Sequence, residues 1–118
     1  MSLHLLKGDS AEQQARRHLE KQGLKLLQTN YRCRRGEIDL IMQERDTLVF
    51  IEVRYRKSDS FGSAVETVTS GKQRKLIMTA RHYLQENRVN APCRFDVVGI
   101  TGPNGDRVEW IKNAFQEH

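Results

Sequence analysis

The sequence predicts an α/β or α+β domain, with helices flanking a central mixed β-sheet in the order αβββαββ, and three observations carry that expectation. Two alternating segments, residues 37–43 and 47–56, are separated by the polar stretch Glu44-Arg45-Asp46, the pattern of an antiparallel hairpin. From Gly71 to Asn87 the apolar residues Leu76, Ile77, Ala80, Tyr83 and Leu84 recur at helical spacing, with Lys72, Lys75, Thr79, His82 and Glu86 on the opposite side. Alternation then returns over residues 94–101 and, past the turn signal Asn104-Gly105, over residues 107–111.

The remaining elements follow from local signals. Asp9 or Ser10 precedes Glu12 or Gln13 by three residues in capping-box fashion, Ala11, Ala15 and Leu19 form a narrow apolar stripe, and Gly23 stops the helix. A first helix is thereby predicted over residues 10–22. Residues 24–32 read as the first strand, running into the basic stretch Arg32, Arg34 and Arg35 before Gly36 resets the backbone. Residues 58–70 are small and polar, with Phe61-Gly62 near their start, and read as a loop with one short helical turn around residues 64–67.

One domain over residues 1–118 is expected, since the chain is long enough for a sheet with helices on it and too short for a second core. Twenty Lys plus Arg against fifteen Asp plus Glu give a net charge of +5, which favours a polyanionic partner. The apolar run at the start is too short for a signal peptide and no window of about 18 apolar residues occurs, so a cytoplasmic protein without a membrane span is expected. Cys33 and Cys93 stand alone and His4, His18, His82 and His118 are scattered, which argues against a zinc site or a disulfide framework.

The chemistry lies in the hairpin. If it turns at Arg45 and Asp46, facing residues have numbers that sum to 91, so Asp39 faces Glu52. The same register pairs Ile38 with Val53, Leu40 with Ile51 and Met42 with Val49, an apolar face that resists slippage. Two carboxylates in that relation repel one another unless a cation offsets them. Mg²⁺, or Mn²⁺, suits such a pair, because a hard ion takes one or two carboxylates and keeps sites for water and substrate oxygens. It would activate water at a phosphodiester and stabilise charge on the phosphate. Arg54, two residues beyond Glu52, shares its face and could hold the scissile phosphate. The competing reading of Asp39 and Glu52 is ion pairing with Arg54 and with Arg32, Arg34 or Arg35.

Gly36-Glu37-Ile38-Asp39-Leu40-Ile41, then Val49-Phe50-Ile51-Glu52-Val53-Arg54, then Lys72-Gln73-x-Lys75-Leu76, resemble the YraN family, whose members are similar to archaeal Holliday junction resolvases and the PD-(D/E)XK, restriction-endonuclease-like fold. The likeness extends to Glu12, residues 23–35 and Arg94-Phe95-Asp96-Val97-Val98. It implies metal carboxylates at Asp39 and Glu52, a third acid at Glu12, and Arg54 where the wider nuclease pattern has a catalytic Lys. Arg stays protonated, so phosphate positioning survives the change and base chemistry does not. Glu12 is also explained by capping and by Arg16 one turn on, and Asp96 by pairing with a neighbouring Arg.

The expected function is a Mg²⁺- or Mn²⁺-dependent endonuclease for structured or branched nucleic acid, DNA in the first place, with Asp39, Glu52, Arg54 and Glu12 at its site. Backbone contacts are expected from Arg32, Arg34, Arg35, Arg56, Lys57, Lys72, Gln73 and Lys75. Lys72 and Lys75 stand in the first turns of a helix, where cations oppose the dipole and do not serve helix stability. Gln73 could look toward the site or be satisfied by backbone. The resolvase resemblance implies a homodimer. The alternatives are a nucleic-acid-binding module with a degenerate nuclease site, and a protein-interaction scaffold, which would show no salt-dependent affinity for nucleic acid.

Overall fold

The computed structural model describes residues 9–58, 62–105 and 107–117, with side chains from Ala11 onward. The cap assigned to Asp9 or Ser10, the loop residue Phe61, and His4 and His118 lie outside what it describes. Helix α1 (Asp9–Lys21) leads into β1 (Lys25–Cys33), β2 (Gly36–Glu44) and β3 (Thr47–Arg56); a 3₁₀ turn (Val65–Thr67) and α2 (Ser70–Glu86) connect these to β4 (Cys93–Thr101) and β5 (Arg107–Phe115). This is the mixed α+β architecture expected, and it is consistent with a restriction-endonuclease-like arrangement. Among the described residues no helix is long and apolar enough to cross a membrane.

The five strands lie in sequence order in one sheet, antiparallel except where β3 and β4 run parallel. A parallel pair needs a crossover, and α2 is that crossover. The segment before it is drawn close to the sheet at Gly99, where a Cβ would come within 2.5 Å of the Ala64 Cβ, so only glycine admits that approach. The central strand β3 is buried on both faces over Leu48, Val49, Phe50 and Ile51, as its unbroken apolar run requires.

Each helix covers one face of the sheet. The α1 stripe of Ala11, Ala15 and Leu19 packs with Leu40, Met42, Val49, Ile51, Val98 and Ile100. On the other face Leu76, Ile77, Ala80 and Tyr83 of α2 pack with Ile38, Ile41, Phe50, Phe95 and Val97. An aromatic series, Tyr31, Tyr83, Phe50, Phe95 and Phe115, runs through that second layer with ring centroids 5.1 to 6.0 Å apart.

The hairpin register is the one read from the sequence: Leu40 faces Ile51, Met42 faces Val49, and Glu44 faces Thr47 across the two-residue turn, where Arg45 takes φ 57°. Two features differ from expectation. Ile38 does not continue the Leu40 and Met42 face; it is buried in the α2-side layer, and the recorded β2–β3 pairing stops at Leu40 and Ile51. The physical reason is Asp39, whose Oδ2 accepts the Val53 N–H at 2.8 Å, a donor that would otherwise serve the ladder.

The last strand is the second difference. It runs to Phe115 and not to Ile111, because a bulge opposite Asp96 shifts its pairing between Phe95 and Val97 and breaks the alternation. Asn113 takes φ 52° there and donates its backbone N–H to Asp96 Oδ1 at 2.9 Å. Asp96, fully buried, also accepts from Trp110 Nε1 at 2.8 Å and from Arg94 Nε at 3.0 Å, so the expected pairing with a neighbouring Arg is one part of a larger knot. Arg94 in turn reaches Glu44 at 2.7 Å.

Candidate active site

Where β2 and β3 part, the structure brings Asp39 and Glu52 together. Glu52 ends the buried run of β3 and is 6% exposed, an unusual position for a carboxyl group. Asp39, half-buried, is fixed by the Val53 N–H. The two carboxyls come within hydrogen-bonding reach of each other, and the Glu12 carboxyl, presented by α1, also reaches Asp39. Since an ionised carboxylate only accepts, a hydrogen bond between them needs a proton on one of the two.

Burial, and then the Asp39 charge, push the Glu52 carboxyl up to about 7, against the pull of Lys72 and Arg54. Burial also raises Asp39, opposed by the Val53 N–H and by the hydrogen bond from Glu52. In this pair Glu52 is the donor and Asp39 the acceptor.

A stability prediction follows. Without metal, the folded protein holds the Glu52 proton more tightly than the unfolded chain does, whose ordinary value is 4.5. The stabilisation is therefore complete below about pH 4.5 and is lost as pH rises through about 7. Glu52→Gln keeps an uncharged donor toward Asp39 and removes that loss. Its stability relative to the parent is expected to grow with pH, reaching on the order of 2 kcal/mol at pH 8. Urea unfolding in EDTA from pH 5 to pH 8 measures it; parallel pH profiles for the two proteins would contradict it.

Two cations stand on Glu52. Arg54 Nε lies 3.1 Å from Oε2, and Lys72 Nζ lies 3.8 Å from the same oxygen. The Arg54 half of the ion-pair reading is thus present, whereas Arg32 pairs with Glu37 at 3.2 Å. Thr69 caps α2 by accepting the Lys72 N–H at 3.2 Å, which sets the first turn of the helix beside Glu52. Sequence reading assigned Lys72 only to backbone contact; its approach to Glu52 comes from tertiary packing and has no local signal.

The other expected contacts are spread out. Arg34 and Arg35 line a hollow with Cys33 and His82. Ten residues of helix, about 15 Å, separate His82 from Lys72. Arg56 donates to the Gly62 carbonyl and lines a different hollow with Arg107, Ser63 and Thr101. Lys57 and Lys75 are exposed. Gln73 donates to the Val68 carbonyl at 3.1 Å, satisfied by backbone. Arg16 pairs with Glu20 at 3.2 Å.

Two polar residues of the centre were missed. Glu37 adds its charge to the field that raises Asp39, and Asn30 faces both Glu12 and Glu37. Asn30 was legible only through the β1–β2 register, in which Thr29 faces Leu40 and Tyr31 faces Ile38, setting residue 30 opposite Asp39.

Among the described residues no three His, Cys, Asp or Glu side chains are arranged to hold a metal ion. The Asp39–Glu52 pair still fits a hard cation: its donors are all oxygen, and burial together with the like charge of Asp39 disfavours ionising both carboxyls at once.

A five-stranded mixed sheet with a helix on each face and a buried acidic centre at the hairpin defines an α+β protein with the centre beside a basic helix start. Residues 11–100 match the model described as "Uncharacterised protein family UPF0102", the YraN family, and the chain belongs to that family. A UPF0102 protein of Nitrosomonas europaea is 57% identical over 111 residues, covering 94% of each chain. One from Nitrosococcus oceani is 53% identical over 116 residues, covering 96% of this chain and 94% of its own. One from Ectopseudomonas mendocina is 50% identical over 117 residues and covers 98% of both.

Proposed function

We propose that this chain is a divalent-metal-dependent endonuclease-type protein acting on structured or branched nucleic acid, DNA in the first place, in the cytoplasm. The observation that carries the reading is the Asp39–Glu52 pair: two carboxyls within hydrogen-bonding reach where the buried run of β3 ends, with Arg54 and Lys72 both on Glu52 Oε2. A fold that only needed stability would gain by replacing such a pair, since unneutralised buried carboxyls are costly.

Asp39 and Glu52 would hold a Mg²⁺ or Mn²⁺ ion, which when bound supplies water activation and charge neutralisation at a phosphodiester. The Val53 N–H holds Asp39 in place, and Glu12 brings a third carboxyl to it from the helix side. Arg54 offers a planar fork suited to a phosphate once Glu52 turns to other partners, and Lys72 offers a point charge on the same side. Basic residues beyond the centre, among them Arg56, Lys57 and Lys75, would follow the backbone by charge and not by base sequence. A homodimer is part of this proposal, because a two-fold junction is matched by a two-fold protein.

One observation favours a second reading, a binding module without turnover. Arg54 occupies the position where an amine base is wanted and is tied to Glu52. A cleavage screen separates the two: single strands, duplexes, flaps and four-way junctions with Mg²⁺, Mn²⁺ or EDTA, with Asp39→Asn and Glu52→Gln as controls. Metal-dependent cutting that both substitutions abolish is expected. Salt-sensitive binding with no carboxylate-dependent cutting would reject the enzyme and leave the module.

A further inference from the structure

We propose that Asn30 is a positioning residue of the acidic centre: its side-chain amide bridges Glu12 of α1 and Glu37 of β2 and so holds Glu12 against Asp39. The inference deepens the site reading above and rests on it for the metal arm of its test. Three independent features of the structure point to it.

The first is position. Asn30 lies between the Thr29–Leu40 and Tyr31–Ile38 pairs of β1 and β2, level with Asp39, at the place where β2 changes faces. Leu40 packs in the α1-side layer, whereas Ile38 and its partner Tyr31 pack in the α2-side layer. The second is backbone. Asn30 takes φ 51° inside a nine-residue strand, a left-handed conformation that costs roughly 1 to 2 kcal/mol for most residues and that Asn tolerates best after Gly. The kink it makes in the edge strand lies level with Asp39, on either side of which Ile38 and Leu40 fall in different layers.

The third is chemistry. Oriented so that its donors meet acceptors, the Asn30 amide nitrogen lies 3.1 Å from Glu12 Oε1 and 3.1 Å from Glu37 Oε2. A primary amide has two N–H donors and no charge, so it satisfies two carboxylates at once. Lys or Arg there would neutralise the acidic centre, and Asp would repel both partners. With the amide in place, Glu12 can stay beside Asp39 although the Glu37 charge acts on the same carboxyl. A helix carboxylate is thus tied to the hairpin through the edge strand.

Asn30→Gly and Asn30→Asp in the full chain test this. Glycine accepts φ 51° and removes only the amide; aspartate keeps size and backbone tolerance but turns two donors into acceptors. In metal-free protein, the side-chain NH₂ proton resonances of Asn30 are expected to move on Glu12→Gln and on Glu37→Gln; resonances unmoved by Glu12→Gln would overturn the bridge. In calorimetric titration with Mn²⁺, Asn30→Gly is expected to weaken binding about tenfold and Asn30→Asp more, as loss of a group that orients a ligand shell does. The Gly effect should vanish in a Glu12→Gln background, because it acts through Glu12. An equal loss in both backgrounds, or none in either, would overturn the role. If the parent chain takes no Mn²⁺, the metal reading of the site fails, and the amide resonances still decide whether Asn30 holds Glu12.

Discussion

Asp39→Asn is expected to lower metal-dependent cleavage by about 10³-fold while leaving the fold and the affinity for nucleic acid in place. Asparagine is nearly the same size, and its amide oxygen can still accept the Val53 N–H that Asp39 holds at 2.8 Å. What it cannot do is carry the charge that, with Glu52, attracts a cation. The loss of that charge also relieves the repulsion that raises Glu52, so Glu52 should ionise at lower pH in the variant. Initial rates on the substrate the parent cuts best measure the effect, and salt-dependent binding to the same substrate checks that the surface is intact. A variant that cuts at the parental rate would remove Asp39 from the site.

Asp96→Ala is the largest stability effect expected. The carboxylate is fully buried and collects N–H donors from Trp110, Asn113 and Arg94. Truncation strands the indole N–H and the bulge N–H without acceptors and leaves Arg94 with Glu44 as its carboxylate partner. Removing one member of such a buried charged knot costs about 3–5 kcal/mol. Against a total of about 5–15 kcal/mol for an ordinary domain, this brings the protein close to unfolding at physiological temperature. Urea titration at pH 7 reads it directly, and a loss under about 1 kcal/mol would show that the bulge is held by other contacts.

What was legible in the sequence was what repeats. The hairpin register followed from apolar residues on both strands and a two-residue polar turn, and Leu40 facing Ile51 is the pairing the arithmetic requires. Helix α2 followed from its period, and α1 from its small-residue stripe, which is narrow because it lies against β3 and its neighbours. The misreadings occur where a side chain takes over a backbone partner. Asp39 captures the Val53 N–H and turns Ile38 to the other layer; Asp96 captures the Asn113 N–H and lets β5 continue past its alternation. Period-two reasoning assumes that strand donors meet strand acceptors, so it fails at those two aspartates.

The candidate centre was legible in its two carboxylates and in Arg54, because those share one hairpin. Lys72 reaches Glu52 only because the crossover returns α2 over that hairpin. Asn30 gave no sign in composition, since a left-handed residue within a strand is invisible to pattern.

Calorimetric titration of the metal-free protein with Mn²⁺ near pH 7, in buffers of different ionisation enthalpy, tests the Asp39–Glu52 pair most directly. Binding that releases a proton is expected for the parent chain, because the cation takes the place of the proton the two carboxyls share, and no binding is expected for Asp39→Asn. No uptake by the parent, or equal uptake by both proteins, would contradict a metal-holding role for the pair.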